Sequence, residues 1–182
     1  VTASSAGTDS RGIAIDRTPR LACKAKVRAN VKPTDPTFVP KMQACARTPA
    51  RIFIANRSPA ALLVGEIGGS APDGSYDADL LKLYGNVPLS SGPSKVYLAP
   101  IVDRNGNYAL RVFIVCFDSA TLFIYDPDAR RIETSVRTAP GPFALAFDPF
   151  DLEDVAALSA VPDDPKNPGI GLRQYRFAYL AS

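Results

Sequence analysis

Short apolar runs alternate along this chain with turn-forming segments rich in Pro, Gly, Asn and Asp. The runs contain many β-branched and aromatic residues, which is typical of β-strands. Two phrases occur three times each, in the same order. The first is GIAID (12–16), SKVYLAPI (94–101) and PFALAFDP (142–149), and the second is RIFIAN (51–56), RVFIVC (111–116) and RFAYLAS (176–182).

Two further phrases follow in the first two copies: AALLVGEI (60–67) and ATLFIYD (120–126), then LLKLYGNVPL (80–89) and RIETSVRTA (131–139). Turn chemistry separates the runs, as in Asn105-Gly106 and Asp126-Pro127. A four-stranded antiparallel meander repeated in series is typical of propeller blades. A sandwich or a barrel is the alternative, but neither explains why the phrases recur in one order.

The pattern therefore predicts an all-β chain, a β-propeller portion with two four-stranded blades and half of a third. We place the first blade at 11–91 with an inserted loop at 17–50, the second at 92–140 and the partial blade at 141–182. A ring typically contains about four to eight blades. We therefore expect a larger ring, completed by another protein segment or chain; closure of the three copies alone is the alternative.

The long connections, at 17–50, 68–79 and 150–174, all follow the first or the third strand of a meander. Such connections lie at the same end of the strands, so the insertions are predicted on one face. Insertions concentrated on one face often form the binding surface of a repeat protein. We expect a protein partner on this inserted-loop face.

The segments GPFALAFDP (141–149) and RVFIVCFDSATLFIYDPDARRIETSV (111–136) resemble the YVTN-type β-propeller repeat. RIFIANRSPAALLVGEI (51–67) is similar to the middle two strands of that repeat. The resemblance covers about two thirds of the chain and implies a propeller fold. The chain departs from the pattern at Cys116 and Ser182, which stand where the first copy has Asn56, and in its longer loops.

Composition narrows the chemistry. The 21 basic and 18 acidic residues give a net charge of +3, and the basic residues are scattered, so nothing argues for nucleic acid. The chain contains no run of apolar residues long enough to predict a membrane span. It has no His, which excludes histidine-based catalytic relays and metal sites within this chain.

Cys23 and Cys45 flank a basic segment with few apolar residues to hold it in place. A disulfide between them would close a loop of roughly 20 residues and stabilise it by about 3 kcal/mol. Two unrelated thiols are the alternative. If the bridge forms, the compartment is oxidising, and we expect an extracytoplasmic protein. Cys116 lies within an apolar run and is interpreted as a buried small residue.

Few residues point to a ligand. The loop 103–107 (DRNGN) and the acids Asp148, Asp151, Glu153, Asp154, Asp163 and Asp164 carry oxygens suited to Ca²⁺. A tight hairpin and solvated loop charges explain them as well, and no other cofactor is expected. The basic stretch 24–32 suits an acidic partner or lipid headgroups, or is a solvated loop. Arg57 and Asp118 are matched positions near the predicted channel opening, as ligand contacts or as a contact between blades.

These features favour a non-enzymatic propeller that acts as a scaffold or protein-binding module outside the cytoplasm. The alternative is a non-catalytic propeller portion of a redox, dehydrogenase or cytochrome-linked complex, since proteins of those kinds resemble the repeat. A metal-dependent hydrolytic propeller is a third class, for which the chain offers no matched set of ligands.

Overall fold

The computed structural model describes residues 9–102, 108–148 and 178–182. Their strands form three antiparallel sheets. Sheet 1 contains β1 (Ser10–Asp16), β2 (Ala50–Asn56), β3 (Ala61–Ser70) and β4 (Tyr76–Pro88). Sheet 2 contains β5 (Pro93–Val102), β6 (Tyr108–Cys116), β7 (Thr121–Asp126) and β8 (Arg131–Arg137). Sheet 3 contains β9 (Ala144–Phe147) and β10 (Ala178–Ala181), and the helices are α1 (Thr18–Asn30) and α2 (Phe38–Ala46).

Each sheet is a meander, in which every strand pairs with the next one along the chain. The recurring phrases supply corresponding strands: the second phrase forms β2, β6 and β10, and the third forms β3 and β7. The prediction of a mostly β chain is therefore confirmed. The three sheets form an open series in which sheet 2 packs against sheet 1 on one face and against sheet 3 on the other.

Strand alternation divides the apolar residues between these two contacts. In β2, Phe53 and Ala55 point toward sheet 2, whereas Ile52 and Ile54 pack on the opposite face. The first core lies between sheets 1 and 2, where the ring of Phe53 meets the ring of Tyr125 edge to face at 6.2 Å. The second core joins Phe113 of sheet 2 to Phe147 of sheet 3 at 4.8 Å.

The inserted segment 17–50 differs from the prediction, because it contains α1 and α2 rather than an irregular loop. Ala, Leu, Lys and Arg make up most of α1, and these are strong helix formers. Pro19 does not interrupt the helix because it lies in the first turn, where its missing N–H is not needed. The prolines therefore mark the first turns of α1 and α2 and the connection between them, not the absence of helix.

The segment 68–79 also differs from the expected long loop. Strand β3 continues to Ser70 and β4 begins at Tyr76, so only a short turn connects them. Within that turn Asp73 accepts hydrogen bonds from the backbone N–H and the hydroxyl of Ser75. The glycines that suggested a loop lie at an irregularity in the pairing, where Gly68 has φ of +75°.

Candidate functional site

A disulfide joins α1 to α2 through Cys23 and Cys45, whose Cα atoms are 5.4 Å apart, so the predicted pair is present. Few buried residues hold the helices in place. No residue of α1 is buried, and Cys45 is the buried residue of α2. Arg20 ties α1 to the sheet by donating from Nε to the carbonyl oxygen of Thr48 at 2.5 Å. The covalent bond therefore takes the place of an apolar core in this pair of helices.

Residues 17–47, called here the basic hairpin, carry a concentrated positive charge. They contain eight Lys and Arg residues and a single acid, Asp35, for a net charge of +7 in a chain of +3. Within the described part of the chain, no basic side chain of the hairpin forms a salt bridge. Hydrogen bonds from the backbone and the hydroxyl of Thr37 hold the pKa of Asp35 below its usual range. The single acid of the hairpin thus offsets only a small part of its positive charge.

An open groove of about 460 Å³ runs along α1. Its walls are mostly apolar, with two polar side chains among them: Pro19, Ala22, Cys23, Lys26, Val27, Asn30 and Val31. These positions recur every three or four residues, so they form one continuous stripe of the helix. The groove combines a mostly apolar lining with one cation, Lys26.

A buried carboxylate anchors the base of the hairpin. Asp16, which is fully buried, accepts hydrogen bonds from the backbone N–H of Thr18 at 2.7 Å and from its hydroxyl at 2.6 Å, at the beginning of α1. Its other oxygen accepts from Nε of Arg51 at 2.6 Å. Arg51 also reaches sheet 2, where its Nη1 lies 2.5 Å from an oxygen of Asp128. Burial opposes ionisation, but these carboxylates raise the pKa of Arg51 above its usual value.

Arg111 holds the same position in sheet 2 that Arg51 holds in sheet 1, because each opens the second phrase of its copy. It is buried, and it pairs with Asp126 at 3.0 Å and with Glu133 at 2.5 Å. Sequence reasoning missed both clusters. The signal available to it was the Arg that begins RIFIAN and RVFIVC.

Arg57 and Asp118 lie at the opposite ends of the strands, in the turns after β2 and β6. Nη2 of Arg57 is 2.7 Å from an oxygen of Asp118, and both side chains are partly exposed. Asp118 is crowded against Gly92, where an added Cβ would come within 2.5 Å of the backbone N of Asp118. The structure brings these two predicted residues together as an ion pair between sheets 1 and 2. Their role at a channel opening stays a prediction.

Cys116 is fully buried in the first core, and burial raises the pKa of its thiol to about 12. The thiol is therefore protonated at neutral pH and is not a nucleophile. This agrees with its interpretation as a small buried residue.

The predicted calcium loop 103–107 and the acids Asp151, Glu153, Asp154, Asp163 and Asp164 lie outside the described residues; Asp148 is described. Over 9–102, 108–148 and 178–182, no group of three or more acidic or Cys residues could hold a metal ion. None of the helices in the same ranges is long and apolar enough to cross a membrane. Comparison with protein-family models, curated proteins and solved structures finds no match.

Proposed function

We propose that this chain is a portion of a YVTN-type β-propeller and serves as a non-enzymatic, protein-binding scaffold in a larger extracytoplasmic assembly. Consecutive meanders that pack face to face, joined by short turns, support the propeller interpretation. The Cys23–Cys45 disulfide supports an oxidising compartment, since such bonds persist outside the cytoplasm.

The observation that carries the binding role is the basic hairpin. Its net charge of +7 is held on two short helices that a disulfide clamps to each other, and its single acid, Asp35, offsets only a small part of that charge. Evenly distributed surface charge would serve solubility alone. Charge concentrated on one inserted element instead gives orientation and speed to the encounter with an oppositely charged partner.

The groove along α1 favours a protein segment over nucleic acid as that partner. An apolar floor lined by Ala22, Val27 and Val31 offers contact for an apolar side-chain stripe, and Lys26 offers contact for a neighbouring acid. An amphipathic helix with acidic flanks combines both features. Single-stranded nucleic acid would instead need aromatic residues for base stacking, and α1 has none.

The test measures binding of a fluorescent amphipathic peptide with a leucine stripe and glutamate flanks, and of a DNA oligonucleotide of equal charge. We expect the peptide to bind more tightly than the DNA. The variant Lys26→Glu should weaken peptide binding at least fivefold. Lys82→Glu, at an exposed position of β4 away from the hairpin, is the matched control and should leave it unchanged.

Tighter binding of the DNA, or equal effects of Lys26→Glu and Lys82→Glu on peptide binding, would contradict the proposed function. The compartment has its own check. In protein isolated without reductant, Cys23 and Cys45 should resist alkylation, and two free thiols would contradict an oxidising location.

A further inference from the structure

Residues 68–81, called here the acidic turn, carry the opposite charge to the basic hairpin. They include the turn between β3 and β4 and contain three acids, Asp73, Asp77 and Asp79, but no Lys or Arg. In the described part of the chain, none of these acids forms a salt bridge. Hydrogen bonds from the hydroxyl and the backbone N–H of Ser75 hold the pKa of Asp73 below its usual range. The carboxylate of Asp73 is therefore ionised at neutral pH.

The acidic turn also exposes apolar surface. The side chains of Tyr76 and Leu81 are 36% and 48% exposed. Both lie on β4, the last strand of sheet 1, and no further strand of the described ranges pairs with its outer edge. The acidic turn thus combines carboxylates with apolar side chains. The groove along α1 offers the complementary combination, an apolar lining with the cation Lys26.

The acidic turn and the basic hairpin lie side by side in one chain. Nη2 of Arg20 on α1 donates to the carbonyl oxygen of Ile67 at 3.4 Å. A Cβ added at Gly68 would lie 3.0 Å from Nη2 of Arg20 and 3.0 Å from the hydroxyl of Tyr76, so α1 and β4 both reach this point. When two surfaces of opposite charge are adjacent, a two-fold rotation brings each one against its opposite on a second copy.

From this arrangement we infer that a second copy of the chain occupies the groove along α1, with the acidic turn of each copy packed on the basic hairpin of the other. The inference rests on the proposed function, because it names an occupant for the same binding surface. The contact is isologous, so two copies satisfy it and association stops at the dimer. Complementary charge orients the two copies, and a partner helix would compete with the second copy for the groove.

The first test is the mass of the purified chain by light scattering, over a range of chain and salt concentrations. At low ionic strength we expect a discrete species of twice 19.4 kDa. It should dissociate to the monomer at about 1 M salt, where the Debye length is only about 3 Å. A monomer at every chain concentration in low salt would overturn the inference, and so would a dimer that salt does not weaken.

The second test reverses the charge of one surface at a time. Asp77→Lys/Asp79→Lys reverses the acidic turn. A second variant reverses the basic hairpin by changing four exposed cations to Glu: Lys26, Arg28, Lys32 and Lys41. Each variant alone should be monomeric at low salt, because like charges would then face each other. An equimolar mixture should form a one-to-one pair, since each reversed surface meets its opposite on the other variant.

A mixture that stays monomeric would overturn the inference. The salt titration requires no substitution, so it decides the question if a variant does not fold. Lys95→Glu/Arg137→Glu is the matched control, because it changes the net charge by as much as Asp77→Lys/Asp79→Lys does. Its sites are exposed positions of β5 and β8, outside both surfaces. The control should dimerise like the unsubstituted chain, and loss of its dimer would indicate that net charge alone governs association.

The inference and the proposed function fail in different experiments. Peptide binding is measured on Asp77→Lys/Asp79→Lys, which keeps the whole basic hairpin but should not dimerise. Peptide binding by this variant, together with a monomeric unsubstituted chain, would overturn the second copy as occupant and leave the proposed function in place. Absence of peptide binding to this variant would count against the proposed function, whatever the mass of the unsubstituted chain.

Discussion

Removing the Cys23–Cys45 disulfide should unfold the basic hairpin and leave the sheets intact. The bond joins residues 22 positions apart, and the chain-entropy estimate for a loop of that length is about 3 kcal/mol. The competing attachments are few. No residue of α1 is buried, each hydrogen bond of Arg20 contributes about 1 kcal/mol, and the hydrogen bonds to Asp16 hold only Thr18, the first residue of α1. Helices of this length are marginal in water by themselves, so without the bond both should fray.

Hydrogen exchange by mass spectrometry on the double variant Cys23→Ala/Cys45→Ala measures this directly. Alanine suits both sites because Cys45 is buried and a polar replacement would add its own cost. We expect amides of residues 18–46 to exchange at close to the unfolded rate, while those of β2, β3 and β6 stay protected. Cys116→Ala is the control, because it weakens the first core and should leave hairpin exchange unchanged.

Native protection of residues 18–46 in the double variant would refute the reasoning, since noncovalent contacts would then suffice. Loss of protection throughout the sheets would refute it in the other direction, by making the disulfide part of the common core. The same double variant also distinguishes the contribution of the ordered helices to peptide binding from the contribution of their positive charge. It keeps all the cations, so weaker peptide binding would reflect the lost preorganisation of the groove.

Three further outcomes follow from the contacts. Arg51→Met should lower the free energy of unfolding, measured by urea titration, by about 3–5 kcal/mol, because it leaves the buried carboxylate of Asp16 without its cation. Asp128→Asn removes an exposed partner of Arg51 and should cost less than about 1 kcal/mol. Equal losses for the two variants would contradict this difference. Gly92→Ala should lower the free energy of unfolding clearly more than Gly74→Ala. Both glycines have positive φ, which costs an alanine about 1–2 kcal/mol, but only Gly92 is crowded by a neighbouring residue. Equal midpoints of unfolding for the two variants would count against the close approach at Gly92. The thiol of Cys116 binds its proton more tightly in the folded chain than in the unfolded chain. The free energy of unfolding should therefore fall as the pH rises from the ordinary thiol pKa of 9.0 toward about 12. Cys116→Ala should lack this part of the pH dependence, and identical pH profiles of the two proteins would disprove the assignment.

The strands were predictable because their signals are local. The continuous runs of β-branched and aromatic residues in RIFIAN and RVFIVC, with turn residues nearby, indicate buried strands whatever they pack against. The order of the strands was predictable for the same reason, since short turns leave antiparallel neighbours as the nearest solution. The Cys23–Cys45 pair was predictable because few cysteines were available and the segment between them lacked apolar residues.

The helices were missed although their signals are local. The many prolines favoured a loop, but Pro in a first turn is compatible with a helix. The charged clusters, by contrast, depend on contacts between residues that are distant in sequence. Asp16 and Arg51 are 35 positions apart, and Arg51 and Asp128 are 77 apart. The second pairing exists only because sheet 2 packs on sheet 1 in one particular orientation, which strand periodicity does not define.

The apolar core and the ion pairs contribute differently to the contact between sheets 1 and 2. Each well-buried side chain of the first core contributes about 1.5–3 kcal/mol, but Val, Ile and Leu faces are similar enough to permit several alignments. The partly exposed pair Arg57–Asp118 contributes about 1 kcal/mol or less, yet its geometry is specific. Arg51–Asp128 fixes the two sheets at one end of the strands, and Arg57–Asp118 fixes them at the other. The core therefore supplies most of the free energy that holds sheets 1 and 2 together, and the two ion pairs add directional contacts at the two ends of the strands.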